Sequence, residues 1–101
     1  MTVVTLAASG SATRILLEGD FDFSAQEVLK QAVEQAVNSP ARRIEVDMEQ
    51  TTFIDSSVIR LFLKLSDAAK KNQKSLAIVN CNERIREIFV IGGFDQIFEI
   101  N

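Results

Sequence analysis

IEVDMEQTTFIDSSVIRLFL, residues 44–63, contains a complete strand-to-helix transition and organises the reading of the whole chain. From Arg43 to Met48 the pattern alternates: Ile44, Val46 and Met48 point one way, and Arg43, Glu45 and Asp47 the other. That is the period of a half-buried strand. A loop to Thr52 and the apolar pair Phe53-Ile54 carry the chain to Asp55-Ser56-Ser57. Any of these three residues can cap a helix, because a short polar side chain accepts from the free amides of the first turn. A helix follows, with Val58, Leu61, Phe62, Leu65, Ala68 and Ala69 as its apolar stripe. Lys70 and Lys71 place positive charge at its C-terminal end, where the helix dipole favours it.

Downstream, Leu76 to Val79 is a continuous apolar run, as expected of a strand buried on both faces. Asn82 can cap a short helix holding Ile85, Ile88 and Phe89, which Gly92-Gly93 closes. Phe94 to Ile100 reads equally as a last strand or a partial helix. Upstream, residues 2–8 and 13–18 read as two strands joined by a turn at Ser9-Gly10-Ser11, with Gly19 ending the second. Ser24 and Glu27 form a capping box at the start of a helix. Its apolar stripe is Ala25, Val28, Leu29, Ala32, Val33, Ala36 and Val37, and Gln26, Glu27, Lys30, Gln31, Glu34 and Gln35 face solvent. Asn38-Ser39-Pro40 stops it. Strands alternating with helices imply right-handed crossovers. The expected fold is a single small α/β domain over residues 1–101: a mixed, mostly parallel sheet, an N-terminal hairpin and three to four helices.

Composition narrows the chemistry. The 101 residues are 47% hydrophobic and 25% charged, those of a globular domain able to form a core without disulfides or metal. One cysteine, Cys81, allows no internal disulfide, which suits a reducing compartment. The absence of histidine removes the Ser–His and Cys–His nucleophiles and, with a lone cysteine, the usual zinc, haem and iron–sulfur sites. No cofactor is expected. A net charge of −3, scattered basic residues and the lack of Trp and Tyr argue against a nucleic-acid surface. The apolar run Val3 to Ala8 is too short, and lacks the basic flank, for a signal peptide. No stretch approaches the roughly 20 apolar residues of a membrane span. The expectation is a cytoplasmic protein without enzymatic activity.

The glycines are too isolated to cradle a phosphate. Asp20 and Asp22 are a carboxylate pair, but acids ahead of a helix are favoured by its dipole without any catalytic role. Cys81 precedes the Asn82 cap and reads as a small hydrophobe. The remaining constellation is Phe53-Ile54-Asp55-Ser56-Ser57, which spacing alone makes a plain helix cap.

Resemblance adds a role. Residues 44–63 resemble the signature of the bacterial anti-sigma-factor antagonists of the STAS domain family, in which Asp-Ser-Ser/Thr-Gly opens a helix. Gly19-Asp20-Phe21-Asp22 resembles that family's Gly-Glu-Leu-Asp segment, and Ile85 to Phe98 its third helix and closing segment. The likeness runs from about Ile15 to Ile100. It implies partner switching. The unmodified protein binds an anti-sigma factor with serine-kinase activity, phosphorylation at Ser56 releases it, and a PP2C-type phosphatase reverses the step. It also implies a partner surface of Asp20, Asp22, Asp55, Ser57, Val58, Ile59, Arg60 and Leu63, on a protein that is monomeric when free. Ile59 and Leu63 read either as an exposed docking ridge beside Arg60 and Lys64 or as a widened core stripe. Val58 departs from the family glycine. Two other outputs fit the same fold: a regulator of secretion, a cyclase or a stress complex, and a STAS subunit of a membrane lipid-transport complex.

Overall fold

Apolar side chains repeat every second residue on the strands and every third or fourth on the helices, so both kinds of element can bury one side in a shared layer. In the computed structural model, which describes residues 2–101, they do so. The chain forms β1 (Thr2–Ser9), β2 (Ala12–Phe21), a 3-10 turn (Phe23–Ala25), α1 (Gln26–Val37), β3 (Arg43–Asp47) and β4 (Thr51–Ile54). There follow α2 (Ser56–Lys71), β5 (Ser75–Val79), α3 (Glu83–Ile91), a second 3-10 turn (Phe94–Gln96) and β6 (Glu99–Ile100).

The six strands form one sheet in the order β1-β2-β3-β5-β6, with β4 paired to the far end of β2. β1 and β2 are an antiparallel hairpin, and every other pairing is parallel. Ile15 and Leu17 of β2, Ile44 and Val46 of β3, and Leu76 and Ile78 of β5 meet one core. From the helices that core receives Leu29, Val33 and Ala36 of α1, Val58, Phe62, Leu65 and Ala69 of α2, and Ile85 and Phe89 of α3. Phe62, Phe89, Phe94 and Phe98 pack ring against ring at 5.8–6.4 Å and tie α3 and the closing segment to α2. On the opposite face of the sheet, Arg14 pairs with Glu45 and Asp47, and Arg43 with Glu45 and Glu99. This chain of charges crosses β2, β3 and β6.

Several expectations need correction. Gly19 does not end β2: it sits at φ 101° where the register shifts, and pairing resumes at Asp20–Phe21 against β4. β4 itself was expected to be mostly loop; the buried Thr51 hydroxyl anchors it by donating to the Leu17 carbonyl at 2.7 Å. The Ser24–Glu27 capping box does not form, because Asp22 caps the 3-10 turn instead, accepting from the Ser24 amide at 2.9 Å. Val28 and Ile88, placed in core stripes by their spacing, are 50% and 39% exposed. Asp47, expected to face solvent, is buried and held by Arg14, Asn80 and the Glu49 amide. The closing segment is both of its alternatives in succession, a 3-10 turn and then a short strand.

Candidate functional site

The parallel strands deliver their C-terminal ends to one side of the sheet, and there β4 runs directly into α2. Asp55 is the N-cap: its extended backbone (φ −112°, ψ 178°) turns the carboxylate onto the Ser57 and Val58 amides at 3.0 and 3.2 Å. The Ser57 hydroxyl donates to the same oxygen, Oδ1. That hydroxyl, with the amides of Val58, Ser57 and Phe23, holds the Asp55 carboxyl below its ordinary pKa despite partial burial. The Asp55 amide in turn donates to the Phe21 carbonyl at 3.2 Å, joining the cap to the end of β2.

Of the three residues able to cap, Asp55 does so, which leaves the two serines in different states. Ser57 is half-buried and its hydroxyl is engaged. Ser56 is exposed, occupies the first helical position, and among the described residues makes no side-chain hydrogen bond. An unmodified hydroxyl therefore stands in solvent at a helix N-terminus, where the dipole favours added negative charge.

Around it lie the other residues expected from the sequence. Asp20 and Asp22 are exposed beside the cap, Asp20 accepting from the Thr52 hydroxyl and Asp22 from Ser24. Arg60 is exposed one turn along α2, and Leu63 is half-buried. Two assignments fail. Val58 is fully buried and Ile59 is 8% exposed, both in the core cluster, so neither side chain is available to a partner. Of the two readings of Ile59, the widened core stripe is the one that holds.

Phe23, which sequence reading overlooked, and Phe53, which it placed in the motif without a contact role, are 73% and 51% exposed beside this cap. Phe53 lies opposite Asp20 in the β2–β4 ladder, and the Phe23 amide faces Asp55. A signal for Phe23 was present, since it falls in helical phase with the solvent-facing Glu27 and Lys30 rather than with Leu29. Large exposed apolar side chains among acids mark a protein-contact surface more than a catalytic pocket. Among the described residues no three acidic or thiol side chains converge where a metal ion could sit. Cys81 is half-buried, and burial raises its thiol pKa, the opposite of activation.

The family model described as "Mlab, STAS domain" matches residues 4–99, nearly the whole chain. The chain belongs to the STAS domain family. It is 34% identical over 95 residues to a STAS-domain containing protein of Pseudomonas aeruginosa, covering 94% of this chain and 93% of that one. It is 26% identical over 83 residues to the anti-sigma-B factor antagonist of Staphylococcus aureus, covering 82% and 77%. Among solved structures, an anti-sigma factor antagonist from Mycobacterium paratuberculosis superposes with TM-score 0.88 at 15% identity, over 99% of this chain and 85% of that one. The unphosphorylated form of the anti-sigma factor antagonist SpoIIAA superposes with TM-score 0.74 at 21% identity, over 98% and 87%. These two establish the STAS fold seen here: the hairpin, the mixed sheet and three helices. Among the described residues no helix is long and apolar enough to cross a membrane.

Proposed function

We propose that this STAS domain is an anti-sigma-factor antagonist that works by partner switching, with Ser56 as the switch. The observation that carries the reading is the division of labour at the helix cap: Asp55 and Ser57 bind each other, while the Ser56 hydroxyl is exposed and free to receive phosphate. The unmodified surface of Phe23, Phe53, Asp20, Asp22, Asp55, Ser57, Arg60 and Leu63 docks an anti-sigma factor with serine-kinase activity. That kinase phosphorylates Ser56, and a PP2C-type phosphatase restores the hydroxyl. The named relative in Staphylococcus aureus supports the antagonist role.

Phosphate adds about −1.5 to −2 charges and three strong acceptors. Facing water at a helix N-terminus it is tolerated, being stabilised by about 0.3–1 kcal/mol. Buried against a partner it is not: two charges about 5 Å from one partner carboxylate cost about 2–7 kcal/mol for effective dielectrics from about 80 down to 20. Incubating the protein with its kinase and mapping the phosphopeptide tests the assignment. Phosphate on Ser56 is expected, and phosphate mainly on Ser57 contradicts it.

A second reading keeps the surface and changes the output, to a STAS subunit of a lipid-transport complex or a regulator of secretion, a cyclase or a stress complex. Two observations favour retaining it. A buried Val58 stands where the resembling antagonists carry glycine, and the family description that spans the chain names Mlab rather than an antagonist. A pull-down from native lysate separates the two: a serine kinase and a phosphatase support the first, a transporter ATPase the second.

A further inference from the structure

Along its main path, β1-β2-β3-β5-β6, the sheet ends in two unlike edges. At one, β6 is two residues long and carries Glu99, so it is both short and charged. Shortness and charge are the usual means of stopping an edge from pairing with other chains. At the other, β1 is eight residues long, TVVTLAAS, with no charge and no proline. Its register against β2 runs without a bulge from Thr2 opposite Gly19 to Ser9 opposite Ala12. In an antiparallel pair every second residue turns its amide and carbonyl away from the partner strand. Among the described residues nothing pairs with that side of β1.

A second element reinforces the same edge. α1 packs over β1 and β2, and its Gln26–Val37 flank faces α2, with Gln26 donating to the Ser57 carbonyl at 3.1 Å and Val37 near Leu65 and Ala68. The flank turned away from α2 therefore overhangs the β1 edge. At about 100° per residue it carries Val28, Gln31 and Gln35. It too has no charge, and Val28 is half exposed although its spacing would suit the core.

We propose that this side of the molecule is an interface with a second copy of the same chain, β1 pairing antiparallel with its counterpart across a two-fold axis so that the two sheets become continuous. A two-fold contact sets a patch against itself, so every charge in it meets a like charge nearby. An uncharged strand beneath an uncharged helix flank meets that condition in any antiparallel register. Eight residues give an edge about 27 Å long. The dimer replaces the expectation of a free monomer, and because β1 and α2 lie on opposite flanks of α1, both Ser56 surfaces stay open.

Thr5 and Val28 are exposed, so a charge at either leaves the fold intact while setting like charges across the axis. Sedimentation of the purified chain over a concentration series up to about 0.5 mM is expected to show twice the chain mass. Thr5→Lys and Val28→Lys, with melting temperatures close to wild type, are expected to weaken association at least about tenfold each. Amide exchange should show protection of β1 rising with concentration. A wild-type chain that stays monomeric, association unchanged in both variants, or a dimer whose β1 amides gain no protection would each overturn the proposal.

Discussion

Asp55 does more for the helix than either serine. It satisfies two amides that α2 leaves open and fixes the Ser57 hydroxyl, so Asp55→Ala is expected to cost about 0.5–2 kcal/mol by urea unfolding. Its pKa is lower folded than unfolded, so that stability is complete above the unfolded carboxylate value, near pH 4. It is lost as pH falls through the folded value, and the stability of wild type and Asp55→Ala should converge in acid. Ser56→Ala, which removes only a solvated hydroxyl, should lie within about 0.5 kcal/mol of wild type. Ile59→Ser, by contrast, empties a core position and should cost about 2 kcal/mol or more. A cost within the surface range would return Ile59 to the docking ridge. The serine motif was legible in the sequence, but which of three capping residues would cap was not. All three have the chemistry, and the decision came from the extended backbone that β4 imposes on Asp55.

Among the elements, the helices and the alternating strand β3 follow directly from periodicity, as do the Asn82 cap and the break at Gly93, which adopts φ 77°. What escaped was set by tertiary pairing. β4 is four residues with the burial pattern in-out-out-in, so it offers no period to read, and it exists because β2 continues past Gly19 to meet it. Asp47 alternates outward like Arg43 and Glu45, yet it is buried because Arg14 on β2 and Asn80 after β5 close over it. The same outer face makes a prediction for β6. Arg43 binds Glu99 and Glu45, holding the Glu99 carboxyl down to about 2 while its own pKa is raised; Glu45 is held below its usual range by Arg14 first and by Arg43 second. Because these pairs are partly solvated, Arg43→Ala should cost only about 1 kcal/mol, less at high salt. Faster exchange of the Asn101 amide, which donates to Ile78 at 2.8 Å, should accompany it as β6 loosens. Unchanged exchange would mean that Phe98 alone secures the strand.

For the molecule as a whole, the C-terminal end of the sheet gathers a free serine, three acids and two exposed phenylalanines on one face, with the core behind it satisfied and closed. Phe23→Ser and Phe53→Ser should therefore leave stability within about 0.5 kcal/mol and weaken partner binding, since exposed aromatic anchors contribute to contact rather than to the core. On the proposed function, negative charge at Ser56 dismisses the partner without unfolding the domain. Calorimetric titration of the captured partner with wild type, Ser56→Ala and Ser56→Asp, alongside a thermal melt of each, tests this. Ser56→Asp is expected to melt within a few degrees of wild type and to bind at least about tenfold more weakly, a loss of about 1.4 kcal/mol, while Ser56→Ala binds like wild type and cannot be switched. Wild-type affinity in Ser56→Asp, or a melt many degrees lower, would rule out Ser56 as a charge-operated switch at the helix terminus.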